Sequence, residues 1–333
     1  MDVHHQSFAK QALHYFARDH EAVRRTPVGG PAAWRGAELR ARSDWQVRLT
    51  SEQIEELDRA RAAVRARGLE LAAVGRDAFA LPTLAPVIRT WSRELADGRG
   101  FLLVRGLPVA RWGDEDSALV YWGIGQHLGV PGAQNPMGDL LGHVTDLGED
   151  AAKPLVRLYR TAADIDWHCD LADVVGLLCL RTAMRGGASR IVSSVAIYDE
   201  LLRRRPDLVD RLYEPFALDS RDEQGEGKRP FLPITPCRFA QGRLRTFWHG
   251  DYFRSALRHP EAPRWDARTE ELVALYDEIA SDPALVLEMN FEPGDVQLIS
   301  NHTTLHARSE YEDWPEPHRK RHLLRLWLSL DRS

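Results

Sequence analysis

Cysteine is scarce in this chain: among 333 residues only Cys169, Cys179 and Cys237 carry a thiol. Three scattered thiols exclude a disulfide framework and a zinc knuckle, and they fit a reducing compartment. No apolar run approaches the roughly 20 residues that a membrane span requires. The polar, histidine-rich stretch 1–25 lacks the apolar core and small-residue cleavage site of a secretory signal, so a cytoplasmic location is expected. Basic charge is not in excess. The chain carries 44 Lys and Arg against 49 Asp and Glu, a formal net charge of −5, without the basic footprint of a nucleic-acid partner. Internal repeats and low-complexity tracts are absent, and no glycine-rich phosphate loop follows a strand signal, which argues against a nucleotide cofactor.

Apolar residues make up 44% and charged residues 28%, enough for a substantial core in one large domain or two modest ones. The first 45 or so residues are irregular apart from an amphipathic pattern over 8–24. Thr50 to Gln53 then forms a capping box with Leu49 and Ile54 as a hydrophobic staple. The helix that follows should end near Gly68, and a second helix is expected over 84–95. The run 101–104, bounded by Gly100 and Gly106, reads as a strand, and 114–128 as a helix. The continuous apolar run 174–180 predicts a strand buried on both faces. Gly186-Gly187 marks a turn, 190–192 a returning strand, and Ser193-Ser194 a helix cap. The polar stretch 219–233 reads as a long loop, and 285–291 with 296–300 as a hairpin about Glu292-Pro293-Gly294-Asp295. A last strand is expected over 323–328. Helices early and strands late suggest a β-sandwich or barrel decorated by helices.

Three His-x-acid tripeptides occur: His168-Cys169-Asp170, His249-Gly250-Asp251 and His259-Pro260-Glu261. Chance alone supplies one or two, so context must separate them. His259 precedes a proline, and no apolar strand follows His249. His168 stands directly before the most strand-like run in the chain. On a strand, His168 and Asp170 would share one face and Cys169 would point away to pack. With a later histidine, His302 or His306, this is the ligand pattern of a facial triad, which binds Fe(II) on one side and leaves positions open. An arginine beyond the second histidine, Arg321, suits a cosubstrate carboxylate, because a guanidinium offers two parallel charge-assisted bonds.

His168-x-Asp170, Gly186-Gly187-Ala188-Ser189, Gly294-Asp295, Asn301, Leu305-His306-Ala307-Arg308 and Arg321-His322-Leu323-Leu324-Arg325 together resemble the taurine dioxygenase (TauD/TfdA) family of Fe(II)- and 2-oxoglutarate-dependent oxygenases, over about residues 98–330. The resemblance implies a mainly β fold with helical decorations, a clavaminate synthase-like double-stranded β-helix (jelly roll). Residues 1–95 would form a helical extension packed on the catalytic domain 96–333, the two making a single folded unit. It implies iron ligation by His168, Asp170 and His306, with 2-oxoglutarate held by Arg321 and by the Ser189 hydroxyl where threonine is common. O₂ would be the second cosubstrate. Asp170 keeps the carboxylate that halogenating relatives lack, which favours hydroxylation or desaturation. Arg325 matches a position that binds a substrate anion in some members, and a structural role would suit it equally.

Asn135, His143 and Arg160 lie in polar stretches before the ligands and are candidates for the substrate pocket, although a hydrogen-bonded loop is the simpler reading of Asn135 and His143. The expected partner is a small molecule, without nucleic acid or membrane; homo-oligomerisation is left open. Two alternatives stand beside the oxygenase: an iron or cupin-like enzyme that does not use 2-oxoglutarate, and a non-catalytic metal-binding protein of the same fold.

Overall fold

The computed structural model describes residues 4–150 and 156–330. Two facing sheets form its centre. In the major sheet the strand order is Gln46–Arg48, Phe101–Arg105, Val296–Ser300, Val174–Arg181, His322–Ser329, Val130–Gly132; Gly142–Val144 also pairs with His322–Ser329. The minor sheet runs Leu287–Met289, Ser189–Ser193, Thr304–Arg308, Ile165–His168. All these pairings are antiparallel except that of Gln46–Arg48 with Phe101–Arg105. The protein is a jelly roll clothed by helices.

Alternation along each strand sorts side chains into three cores. Phe101, Leu103, Val175, Ile299 and Trp327 of the major sheet meet Ile191, Leu287 and Met289 of the minor sheet in the interior. Their neighbours Leu102, Val104, Leu298, Leu326 and Leu328 face outward onto the helices Ser51–Ala66, Leu84–Asp97 and Val109–Leu128. Val192, Leu305 and Ala307 face the other way, onto Ser194–Arg204 and Ala267–Ala280. This double coverage is why 174–180 reads as continuously apolar.

Local signals hold in most places. Thr50 forms the capping box with Gln53, and Ser193 caps Ser194–Arg204. Other expectations are corrected. The first helix covers only Phe8–Phe16, because Arg18 turns inward to the buried Asp173. Leu287–Met289 and Val296–Ser300 do not pair with each other; they belong to different sheets. The turn between them is held by Asp295, whose carboxylate accepts from the Glu292 amide at 2.9 Å. Gly294 lies at φ 93°, where a Cβ would stand 2.0 Å from the Leu107 carbonyl oxygen, so this turn requires glycine. Within 219–233, Phe231–Ile234 pairs with Phe216–Asp219, since Phe231 buries itself beside Ala217, Ala256 and Ala262. Residues 1–95 supply a sheet strand as well as helices. Among the described residues no helix is long and apolar enough to cross a membrane.

The crossing from minor to major sheet, 169–173, is tied down by several long-range hydrogen bonds. Cys169 N–H donates to the Trp248 carbonyl at 2.8 Å. Asp170 N–H donates to Asn301 Oδ1 and Asn301 Nδ2 to the Ala172 carbonyl, both at 2.9 Å. The Asp173 carboxylate meets His14 Nε2 and His302 Nε2 at 2.8 Å, pairs with Arg18, and accepts the Leu330 amide at 2.9 Å. Burial alone would raise the Asp173 carboxyl; hydrogen bonds from His14 and His302 and the Arg18 charge instead hold it far below the usual range. Burial lowers His302 from 6.5 to about 4, despite Asp173.

Asp173→Ala should therefore destabilise the fold by about 3–5 kcal/mol in denaturant titration, because it leaves the buried Arg18 guanidinium uncompensated. Stability should also fall on acidification. The depressed Asp173 carboxyl contributes above its unfolded pKa and loses that contribution as pH drops. Between pH 6.5 and about 4 the unfolded chain protonates the His302 ring and the folded chain does not. A flat stability profile from pH 7 to 4 would contradict this network.

Candidate active site

Thr304–Arg308 sits between two neighbours of the minor sheet, and the register sets His306 opposite Ile191 on one side and His168 on the other. The side chains opposite each other share a face, here the interior. The His168 and His306 rings lie 4.1 Å apart. Asp170 is not on the ligand strand as predicted. The strand ends at His168, the apolar run 174–180 belongs to the other sheet, and Asp170 enters from the crossover, fixed by Asn301. One ligand atom each from His168, Asp170 and His306 lie within 4.8 Å of one another.

The donor set suits a metal ion. His168 Nδ1 donates to the Asp166 carbonyl at 2.8 Å, which orients the ring and leaves Nε2 as its coordinating atom. His306 Nε2 lies 3.6 Å from Asp170 Oδ2, and that oxygen is buried without a hydrogen-bond partner. Burial and the neighbouring His168 lower His306 from 6.5 to about 3, so the ring is neutral at physiological pH. Burial would raise Asp170, but Arg325 and the two histidines bring it below its ordinary value. His302, the other candidate third ligand, is held by Asp173 and stacked on Tyr15 at 4.5 Å between ring centroids.

Arg321 is 4% exposed, its Nη1 is buried without a hydrogen-bond partner, and no described carboxylate pairs with its guanidinium. It lines a small cavity with Cys179, Gly187, Asn290, Phe291 and Leu323. Gly187 lies at φ 71°, and a Cβ there would stand 3.0 Å from Arg321 Nε. The missing side chain at Gly187 thus leaves room for the arginine. Arg308, named only as part of a motif by the sequence, also faces inward, and both guanidinium carbons lie under 5 Å from the Tyr311 ring centre, at 4.8 and 4.9 Å. The inward Ser189 hydroxyl donates to Gln297 Oε1 at 2.9 Å.

Arg325 lies 3.5 Å from Asp170 Oδ1, donates through Nε to Gln134 Oε1 at 2.7 Å, and is flanked by the Tyr159 and Trp327 rings at 4.7 and 5.0 Å. The other substrate candidates are not brought to the triad. Asn135 bonds Asp139 within its own turn, His143 is exposed against His322, and Arg160 pairs with Glu149 at 2.8 Å. His249, which the sequence set aside, bridges to His168 with its ring centre 5.2 Å away. Nothing local signals this, because the contact is made between segments remote in sequence.

The model of the Taurine catabolism dioxygenase TauD, TfdA family matches residues 65–327. The chain belongs to that family. It is 29% identical over 318 residues to FR-33289 synthase of Streptomyces rubellomurinus, covering 93% of this chain and 92% of that protein. It is 30% identical over 305 residues to the taurine hydroxylase-like protein SAT17 of Stachybotrys chartarum, covering 88% and 77%. Asparagine oxygenase in complex with Fe(II), 3-hydroxyasparagine and succinate superposes with a TM-score of 0.68 at 18% identity, covering 86% of this chain and 94% of that one. The non-haem iron oxygenase OrfP in complex with Fe and alpha-ketoglutaric acid does so with 0.65 at 18%, over the same shares. These two likenesses establish the shared fold.

Asn301→Ala should weaken Fe(II) binding by about 10- to 100-fold while leaving all three ligand side chains in place, as loss of an outer-shell support does. Anaerobic Fe(II) titration measures it; wild-type affinity would show that the Asp170 backbone needs no such clip.

Proposed function

We propose that this chain is an Fe(II)- and 2-oxoglutarate-dependent dioxygenase that hydroxylates a small anionic organic molecule and releases succinate and CO₂. The observation that carries this reading is a compact His168–Asp170–His306 set in the same interior as a buried guanidinium, Arg321, that has no carboxylate of its own. Family membership and the iron, alpha-ketoglutarate and succinate of the two structural neighbours support it.

His168, Asp170 and His306 would occupy one face of the ion and leave the opposite positions open. Bound iron supplies the oxygen chemistry, while the protein supplies binding, orientation and exclusion of water. Arg321 would receive the distal carboxylate of 2-oxoglutarate through a two-bond fork. Ser189 would turn its hydroxyl from Gln297 to the same group. Gly187 gives the guanidinium its space, and Phe291 and Leu323 keep water from the ion pair, which strengthens it. Arg325 balances and orients Asp170 from behind, so its charge is already engaged.

Arg321→Gln should raise the 2-oxoglutarate concentration needed for half-saturation by on the order of 100-fold, the loss of two charge-assisted bonds, with Fe(II) binding retained. The weak visible charge-transfer band of the anaerobic Fe(II)–2-oxoglutarate complex reads both quantities. His306→Ala should eliminate that band and succinate formation together. Wild-type succinate release by His306→Ala would overturn the assignment, and an Fe(II) enzyme that never develops the band would point to iron chemistry without 2-oxoglutarate.

A further inference from the structure

Beside the metal ligands, on the side of His168, four residues that no role above uses come together. The His249 ring stacks on Tyr252 with centroids 3.7 Å apart, and its Nδ1 is buried without a hydrogen-bond partner. Two arginines close on the same tyrosine from different segments. The Arg157 guanidinium lies 5.9 Å from the Tyr252 ring centre and donates to its hydroxyl at 2.6 Å; that of Arg221 lies 4.9 Å from the ring centre. Arg157 comes from the segment before the ligand strand, and Arg221 from the tip between Phe216–Asp219 and Phe231–Ile234.

The charges here do not cancel. Glu223 pairs with Arg157. Among the described residues no carboxylate pairs with Arg221. Its Nη2 donates to the Val156 carbonyl at 2.8 Å, and its Nε is buried without a hydrogen-bond partner. Arg221 also holds φ 54° and Asp222 φ 59°, a left-handed conformation that costs a non-glycine residue free energy. Two guanidiniums that share one paired carboxylate, with the Arg221 Nε–H unmet, form an anion receptor. The alternative receptor, Arg325, is occupied by Asp170 and Gln134.

We propose that Arg157 and Arg221, on the Tyr252–His249 platform, bind the anionic head of the substrate, and that this head is a phosphoryl-type oxyanion, a phosphate or a phosphonate. Two guanidiniums that reach one tyrosine from different segments bring more donors than a single fork uses, which suits a head with three terminal oxygens. A planar carboxylate is satisfied by the fork of a single guanidinium. The Tyr252 and His249 rings lie between the two arginines and the metal ligand His168, a separation that a short molecule would span. This assignment rests on the oxygenase reading.

The test is calorimetric titration of anaerobic enzyme saturated with Fe(II) and 2-oxoglutarate, so that the Arg321 site is filled. Methylphosphonate, inorganic phosphate and acetate are the probes. Methylphosphonate and phosphate should bind at about millimolar concentration or tighter and acetate at least about 10-fold more weakly. Arg157→Gln and Arg221→Gln should each weaken the phosphoryl probes about 10-fold or more, with the charge-transfer band unchanged; Arg221→Lys should recover part of the loss. Tighter methylphosphonate than phosphate identifies a phosphonate, and the reverse order a phosphate ester. Acetate binding as tightly as both, no heat from either phosphoryl probe, or full affinity in both glutamine variants would overturn the proposal while an intact band leaves the oxygenase reading standing. Absence of the band in the wild type would sink that reading instead.

Discussion

Asn301 does the work on which the rest of this site depends. A jelly roll delivers two histidines in register almost automatically, because His168 and His306 face each other across paired strands. The carboxylate is harder to place. Asp170 lies beyond the end of its strand, where the chain leaves one sheet for the other, and no ladder fixes it there. The Asn301 amide grips the backbone on both sides of that carboxylate, at Asp170 and Ala172, while its own backbone N–H and C=O are held by Asp173 and Tyr15. Asp173 then ties the crossover to the first helix, to His302 and to the chain beyond the last strand. A ligand on irregular backbone thereby acquires the rigidity that precise metal sites need.

The interior gathers arginines that such a fold must justify energetically. Arg308, Arg321 and Arg325 all face inward, and burying a guanidinium costs several kcal/mol unless partners compensate. Arg325 is compensated by Asp170 and by two aromatic faces. Arg308 uses the Thr161 carbonyl at 2.9 Å and the Ala163 carbonyl. Arg321 has only the Tyr311 ring and keeps an unbonded N–H group. Burial lowers both Arg308, to about 10, and Arg321 from their ordinary values, each group penalised by its environment. Arg308 likewise keeps Nε and Nη1 buried without partners, so an anion entering beside Arg321 would meet two inward guanidiniums that no described carboxylate pairs.

Much of this was legible in the sequence for one reason: period-two alternation and turn chemistry act locally. The capping box at Thr50 and the strand Val174–Arg181 follow from neighbours in the chain, whereas Gly186 lies in the short strand Arg185–Gly186 instead of a turn; His168, Asp170 and His306 came from motif order, and the fold brings them together. What was illegible depended on which sheet a strand joined. The run 285–300 looked like a hairpin because alternation and a Pro-Gly turn are the same signals whether the chain folds back or crosses to an opposing layer. The Asp170 placement failed for the same reason. His249 was set aside for lacking a following strand, yet its position derives from an isolated bridge to His168 that sequence distance conceals. Asn135 and His143 were polar for turn and surface reasons.

Cys169 lies between two of the proposed metal ligands, and Cys179 lines the cavity of Arg321. Burial pushes both thiols up, Cys179 to about 12 and Cys169 higher still. A thiol reacts with oxidants through its thiolate, and at neutral pH neither sulfur supplies one to any appreciable extent. The apolar packing that gives the jelly roll its core therefore also keeps the thiols beside the proposed iron site out of thiolate chemistry.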